Sequence, residues 1–361
     1  MRSKRWSLWI KSEEVSKVEH SAAIIGCGGI ASAHANSFRA LGIPIVACAD
    51  INRKAAESFA SKYDVQSLYT DHRELLKNER VDLVSICTWA QSHADITIDC
   101  AEAGVKGIMC EKPMCRSLGE ADAMIYACRR NEVKLAIGHV RRFEPSYVEA
   151  RELIRGGMIG EPLYAAFHTS GGLLNNGTHL IDATRFLLDD PRAIWVIGGV
   201  ERKTDRYERG ARTEDLCAAV ICFEGNVRGI VEVDTPNRPG ISEIILCGTE
   251  GVLQVAWGKG VKVMRTGETG WDERKPTGEN PFIAQIRHLV KWVEGEIEEH
   301  ISSGEQARFT MEIMMGIYES VRTKRLVKMP LKIKLNPLDE MVEEGDMPVL
   351  KPGRYDIRLK T

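Results

Sequence analysis

The sequence predicts an α/β chain: an N-terminal doubly wound parallel sheet, then an α+β half built on a large, mostly antiparallel open sheet. Three observations lead there. Between Ser21 and Val140 short apolar runs alternate with helical patterns. A glycine-rich turn, Gly26-Cys27-Gly28-Gly29-Ile30-Ala31, follows the first run directly. After about Arg142 the alternation gives way to long strand-like runs separated by turn residues. At 361 residues the chain exceeds one ordinary core and suits two domains. The expected division is an N-terminal extension over 1–20, a dinucleotide-binding domain over 21–142, a substrate and oligomerisation domain over 143–330, and an arm over 331–361.

The apolar runs of the first half are 22–26, 45–50, 67–70, 81–88, 107–113 and 134–140. Several are β-branched and apolar on both faces, as parallel strands covered by helices must be. Gly42 and Pro44 stop the first helix, Asn52 and Asp71 cap the next two, and Ser117 with Glu120 forms a capping box for another. Alternation with connections this short implies a parallel sheet. In the second half a helix over 144–155 ends at Gly156-Gly157. Antiparallel-looking runs follow at 163–170, 194–200, 216–223, 227–234, 242–247 and 252–256, with a hairpin turn at 223–226. One helix (177–188) interrupts this sheet, and two more (281–297, 305–323) close the domain. The stretch 201–215 has ten charged residues in fifteen. It reads as a solvated loop or, alternatively, as a mobile cover over the site.

Bulk properties exclude several classes. Lys and Arg number 49 against 51 Asp and Glu, a net charge of -2 that leaves no electrostatic footprint for nucleic acid or an anionic membrane. The first twenty residues lack an apolar core segment, so no secretory signal is expected there. No stretch reaches the ~18 apolar residues of a membrane span. Ten cysteines occur without any CxxC, and most sit inside apolar runs. They read as scattered buried thiols of a cytoplasmic protein, with no metal site.

The glycine turn carries the first functional signal. It is GxGxxG with Ala31 in the third glycine's place. Gly26 permits the tight turn, Gly28 lets backbone approach a pyrophosphate, and Ala31 lets helix and strand pack closely. The amides opening the helix at Gly29, Ile30 and Ala31 then face the phosphates, aided by the helix dipole. Asp50 ends the second strand nineteen residues later, where a carboxylate accepts from the adenosine ribose hydroxyls. That carboxylate repels a 2′-phosphate and favours NAD over NADP. Arg53 either offsets the repulsion or is a solvated helix residue.

The second signal is Glu111-Lys112-Pro113 at the carboxyl end of the fifth strand, the edge where such sheets place ligands. With GCGGIA, GHVRRFEP (138–145), IRGGMIGEP (154–162), GTHLID (177–182) and VKMPL (327–331), the chain resembles the glucose–fructose oxidoreductase / inositol dehydrogenase / rhizopine catabolism (Gfo/Idh/MocA) family over residues 21–331. The resemblance implies that Lys112 touches both nicotinamide ribose and the reacting hydroxyl, and that His179 is the catalytic histidine. It further implies cofactor contacts from Glu111, Thr88, Ser92 and His93, although His93 also reads as a surface helix residue. Substrate contacts are implied for Arg141, Arg142, Asn175, Asn176 and Thr178. The chemistry agrees with this. Removing a hydride from C–H requires the attached hydroxyl proton to leave, and a neutral imidazole near pKa 7 suits that task. A nearby ammonium lowers the alkoxide's energy.

Two departures from the family pattern stand out. Asn175 occupies a position, four before the histidine, that is commonly aspartate, and Trp89 replaces a usual proline. Asp182, three residues after His179, either supplies the missing charge or lies on the helix surface. Three functions follow as alternatives: a sugar or polyol dehydrogenase, an NAD-dependent glycoside-cleaving enzyme working by oxidation and elimination, and a dinucleotide-sensing protein without turnover. A homodimer or homotetramer is expected from the open sheet.

Overall fold

Six short apolar strands pair to build the N-terminal half, in a computed structural model that describes residues 20–235 and 242–356. The expected extension over 1–20 lies outside the described residues but for His20. Strands β1 (Ala22–Ile25), β2 (Ile45–Ala49), β3 (Ser67–Tyr69), β4 (Leu83–Ile86), β5 (Gly107–Cys110) and β6 (Lys134–Ile137) match the six expected runs. Between them lie α1 (Ala31–Ala40), α2 (Arg53–Tyr63), α3 (His72–Asn78), α4 (His93–Glu102) and α5 (Leu118–Arg130). The order is β3-β2-β1-β4-β5-β6, and every pairing is parallel. Strand order reverses between β1 and β4, so the loops leaving them diverge and open a crevice at the carboxyl edge. Burial of β1, β4 and β5 on both faces explains their unbroken apolar sequences.

The helix starts follow local chemistry. Asn52 accepts from the Lys54 and Ala55 amides, and Asp71 from that of Arg73. Ser117 accepts from the Glu120 amide, but Glu120 reaches the Arg116 amide at 2.7 Å instead of that of Ser117. The expected reciprocal box is therefore displaced by one residue, because Glu120 also pairs with the Arg116 guanidinium.

After α6 (Pro145–Arg155) come β7 (Pro162–Thr169), α7 (Thr178–Leu187), β8 (Ala193–Glu201), β9 (Thr204–Glu208), β10 (Ala211–Arg212), β11 (Leu216–Phe223), β12 (Arg228–Val233), β13 (Glu243–Gly248) and β14 (Gly251–Ala256). The chain continues through β15 (Gly260–Arg265), β16 (Asp272–Arg274), α8 (Pro281–Val293), α9 (Gly304–Thr323), β17 (Val327–Lys328), α10 (Pro337–Glu343) and β18 (Lys351–Asp356). Nine of these strands form one sheet, β16-β15-β14-β13-β7-β12-β11-β8-β17. All its pairings are antiparallel except β12 with β7. Gly225 and Asn226, both at positive φ, turn β11 into β12. Phe167, Ile244 and Leu253 from the sheet pack with Leu180 of α7 and Met311 and Met314 of α9 in a common core.

Two findings depart from the sequence reading. The charged stretch 201–215 is no solvated loop: β9 and β10 form a small sheet with β18 of the arm, in the order β10-β9-β18. Arg202, Arg206, Glu208 and Glu214 within it are buried. Arg206 donates to the Glu214 carbonyl and pairs with Asp234 at 3.1 Å, and such pairing lets charged side chains occupy inward positions. Second, α8 returns to the first half. Ile286, Leu289 and Val290 share a core with Ile24, Phe38 and Met109, and Val293 fills the space beside Gly107, where a Cβ would lie 2.8 Å away. Among the described residues no helix is long and apolar enough to cross a membrane.

Candidate active site

The crevice between the β1 and β4 loops is shaped by glycine. Gly26 has φ +91°, and a Cβ there would lie 2.7 Å from the Cys87 carbonyl carbon and the Thr88 nitrogen, so only glycine lets the two loops meet. At Gly28 and Gly29 a Cβ would meet nothing within 4 Å, leaving open ground of the kind a pyrophosphate needs. Ile30 precedes α1, which begins at Ala31 without any side-chain cap; the Ala31, Ser32 and Ala33 amides donate to the Gly28, Gly29 and Ile30 carbonyls, so the helix presents its dipole to an anion through the glycine turn that precedes it. Asp50 stands beside this turn. Its Oδ2 accepts from the Cys27 amide at 2.7 Å and its Oδ1 from the Asn52 amide at 2.8 Å, which holds the carboxylate at the end of β2. These residues fit a dinucleotide. Arg53 lies apart from them: its side chain is 71% exposed and paired with Glu57 on the surface of α2.

The end of the crevice between the β4 loop and β5 is tied together by two buried histidines. His93 is 0% exposed, so the surface reading is excluded. Its Nδ1 lies 2.9 Å from the Pro113 carbonyl oxygen and its Nε2 lies 3.0 Å from that of Thr88, joining the β4 loop to the β5 end. Ser92 Oγ donates to Thr88 Oγ1 at 2.9 Å in the same loop. His34 on α1 makes the second tie. Its Nε2 lies 2.9 Å from Glu111 Oε1 and its Nδ1 lies 3.0 Å from Ser85 Oγ. Burial opposes ionisation of Glu111, yet the His34 hydrogen bond and the Lys112 charge outweigh it and hold the carboxyl below its usual range. Glu111 is thereby engaged with α1 beneath the turn. His34 went unnoticed in the sequence, where one histidine three residues into a helix carries no pattern.

Lys112 reaches across from the end of β5 to the second half. Its Nζ donates to both the Asn175 carbonyl oxygen and Asn175 Oδ1, each at 3.0 Å. Asn175 belongs to a single π turn, Leu173–Gly177, that leads directly into α7. The turn is pinned by acids: the Gly171 and Gly172 amides donate to the two oxygens of Asp234 at 2.8 Å, and that of Leu173 to Glu214. Asn175 Nδ2 donates to the Gly171 carbonyl, and Asn176 Nδ2 to that of Ser170. His179 follows in the first turn of α7. Among the described residues its buried Nδ1 has no hydrogen-bond partner. Burial, then the charges of Lys112 and Arg141, push its pKa well below the ordinary imidazole range, so the ring is neutral at physiological pH.

These two ends match a known pattern. Residues 20–139 match the model of an oxidoreductase family with an NAD-binding Rossmann fold, and residues 164–254 match the C-terminal domain of the same Gfo/Idh/MocA family. A scyllo-inositol 2-dehydrogenase (NAD(+)) from Bacillus subtilis is 31% identical over 65% of this chain and 74% of its own length. The chain belongs to the Gfo/Idh/MocA family. A D-apiose dehydrogenase from Paraburkholderia graminis is 29% identical over 65% of the chain and 67% of its own length. Among solved structures, an aldose-aldose oxidoreductase from Caulobacter crescentus complexed with glycerol shares the fold with a TM-score of 0.76 at 22% identity, over 86% of this chain and 100% of that one. As a Gfo/Idh/MocA oxidoreductase the chain carries the family's NAD-binding Rossmann domain, and the expected fold class holds in both halves.

Several expected substrate contacts sit elsewhere. Arg142 is 0% exposed, with Nε and Nη2 on Asp182 at 2.7 and 2.8 Å and Nη1 on Asp190 and the Ile301 carbonyl. Its guanidinium is spent inside the domain, where only a fully paired arginine is tolerable. Asp182 is 1% exposed and committed to Arg142, which corrects both the helix-surface reading and the idea that it serves His179. Thr178 Oγ1 lies 3.1 Å from Nε2 of buried His139, facing inward. Arg141 alone of the arginine pair acts on His179.

The sequence also missed a wall of the site. The pocket beside Lys112 is lined by Thr88, Trp89, Leu174 and Asn175, and on its far side by Glu208, Arg209 and Arg212 of the charged hairpin. Gly210 at the hairpin tip has φ +78°, and a Cβ there would strike Gln91 Oε1 at 2.7 Å. The stretch 201–215 thus lines the pocket as an ordered hairpin rather than as the solvated loop its charges suggested. Its only advance signal was a charge run.

Proposed function

We propose that the chain is an NAD-dependent dehydrogenase that moves a hydride between the nicotinamide and a secondary alcohol or ketone of a sugar or inositol. His179 serves as general acid and base, and Lys112 as charge partner and proton relay. The observation that carries this reading is the meeting of Lys112 with Asn175, one turn from a neutral His179 with an open nitrogen. Relatives named as D-apiose and inositol dehydrogenases support the substrate class.

Bound NAD supplies the hydride acceptor. The Lys112 ammonium stabilises negative charge as it develops on the substrate oxygen. His179, neutral because burial and neighbouring cations disfavour its protonated form, accepts the hydroxyl proton. His93 and Ser92 hold the Thr88 loop and the β5 end in register, and the hairpin wall screens the centre from water. The test is NADH absorbance on mixing the protein and NAD+ with D-apiose, myo-inositol, scyllo-inositol and common hexoses. Absorbance should grow with at least one substrate and vanish in His179→Ala. Intact NAD binding with no NADH from any of them would remove the dehydrogenase reading.

A further inference from the structure

A tryptophan left partly in water inside a pocket keeps surface that its own fold does not use. Large apolar side chains gain most when taken out of water, and an indole also seeks an acceptor for its N–H. Trp292 shows the usual outcome, its Nε1 donating to the Glu298 carbonyl at 3.0 Å. Trp89 is 39% exposed, and among the described residues its N–H meets no acceptor. Single exposed apolar residues are common on an outer surface. Trp89 is placed differently, because it lines the pocket beside Lys112.

Its backbone is held from both sides. The Thr88 carbonyl oxygen lies 3.0 Å from His93 Nε2, and Thr88 Oγ1 accepts from Ser92 Oγ at 2.9 Å. The Trp89 carbonyl accepts from the Ser92 amide and from Ser92 Oγ, each at 3.0 Å. Its φ of -88° is close to the value that proline, the family's usual residue here, would impose. The backbone therefore gives no reason for a tryptophan, and the change adds an aromatic face to a loop already fixed. Leu174, 5% exposed, adds apolar surface to the same pocket, whereas Lys112, Asn175, Arg209 and Arg212 line it with polar groups. Gln91, two residues after Trp89, lies against the hairpin tip, where a Cβ on Gly210 would come within 2.7 Å of its Oε1. The pocket is thus a slot between loop and hairpin, with an aromatic face and hydrogen-bonding groups around it.

Such a slot suits a ligand that is itself two-natured. A six-membered polyol ring in its chair form carries equatorial hydroxyls around its rim. Its faces carry axial C–H groups, whose partial positive charge is attracted to the negative face of an indole. An axial hydroxyl on a face holds the ring off and loses that contact. We infer that Trp89 is a specificity-determining residue whose indole stacks against the axial C–H face of a six-membered polyol ring. The site then separates polyols of identical composition by where their axial hydroxyls stand. The inference rests on the reading of the pocket beside Lys112 as the substrate site.

The experiment is calorimetric titration of the NAD-loaded protein with scyllo-inositol, myo-inositol and D-chiro-inositol, with NADH formation followed in parallel. Of these isomers, scyllo-inositol has no axial hydroxyl and myo-inositol keeps one face clear, whereas D-chiro-inositol carries an axial hydroxyl on each face. The first two should bind at least ~10-fold more tightly than the third. Trp89→Ala should abolish that preference with NAD affinity unchanged, and Trp89→Phe should retain most of it. Should Trp89→Ala fail to fold, fluorescence decides: scyllo-inositol should alter the tryptophan emission of the parent and not that of Trp89→Phe, and an equal response in both overturns the inference. Equal binding of the three isomers by the parent, binding of none, or a preference that survives in Trp89→Ala also overturns it. So does loss of NAD affinity in Trp89→Ala, which would set the indole against the cofactor instead. Isomer-selective binding without NADH keeps the stacking face and removes the dehydrogenase reading. NADH formed without isomer preference does the reverse.

Discussion

Residue 175 shows how one substitution redistributes a site. An aspartate four residues before His179 was expected to act on the imidazole, but Asn175 Oδ1 meets Lys112 Nζ instead. Asn175→Asp should therefore create an ion pair with Lys112 first and influence His179 second. The expected result is an acidic limb of the kcat/KM profile displaced upward. In the parent that limb should lie below the usual imidazole range, because burial, Lys112, Arg141, His139 and Arg209 all hold His179 neutral. Superimposable profiles would show that position 175 does not couple to the titrating group. Lys112→Met removes the charge partner outright. Turnover should fall by at least ~100-fold with NAD affinity retained, measured by steady-state rates beside cofactor titration. Near-normal turnover would make Lys112 a structural strand end. His34 and Thr178 show what sequence inspection cannot supply. A lone histidine or threonine on a helix has no signature, and its partner is chosen by packing.

Among the elements, the hairpin β9–β10 is the least legible. Strand patterns are read from apolar residues at alternate positions, yet here the inward positions are Arg206 and Glu208. Arg206 is stable there because the Glu214 carbonyl and Asp234 meet it and the distant strand β18 pairs alongside β9, contacts that no local window contains. Ending the chain before Pro337 removes β18 together with Asp339 and Glu343, the acids on Arg212. The hairpin would lose its outer strand, so KM for the active substrate should rise several-fold while NAD affinity holds. An unchanged KM would show that the arm does not support the pocket wall. The parallel strands are the opposite case. Helices cover both faces of β1, β4 and β5, so their apolar sequences announce them.

At the scale of the whole molecule, the open face of the nine-stranded sheet and the buried histidines give two further expectations. Ile197 and Ile230 are 44% and 41% exposed, and Val220 lies between them in register on neighbouring strands. An apolar row of this kind on a sheet face suits pairing with a second copy. Light scattering should report a dimer or tetramer, and Ile230→Lys should lower the mass. A monomeric parent would dismiss the surface. Stability should fall with acidity. Burial lowers His139 and His300 to about 4, and both are neutral in the fold. As pH drops below ~6.5 the unfolded chain takes up protons that the folded chain refuses, so folding weakens until the folded histidines protonate near pH 4. At pH 5 each contributes a loss of about 2 kcal/mol. Thermal melts at pH 7 and pH 5 should differ by many degrees, and coincident melts would place these imidazoles in water.

Resemblance to the family singled out Lys112 and His179, whereas the sequence by itself determined the doubly wound sheet and the glycine turn with Asp50. Each of these depends on local steric rules or on burial that imposes a run of apolar residues. Tertiary structure alone decided which side chains meet. It turned Arg142 inward onto Asp182, set Lys112 on Asn175, folded a charged stretch into a wall, and set Arg141 on the hydroxyls of Tyr147 and Ser242. The reason is physical. An apolar residue needs only to be buried, whereas a charge or hydrogen-bonding group needs a particular partner, and that partner can lie far off in the chain, as the Ile301 carbonyl lies 159 residues from Arg142.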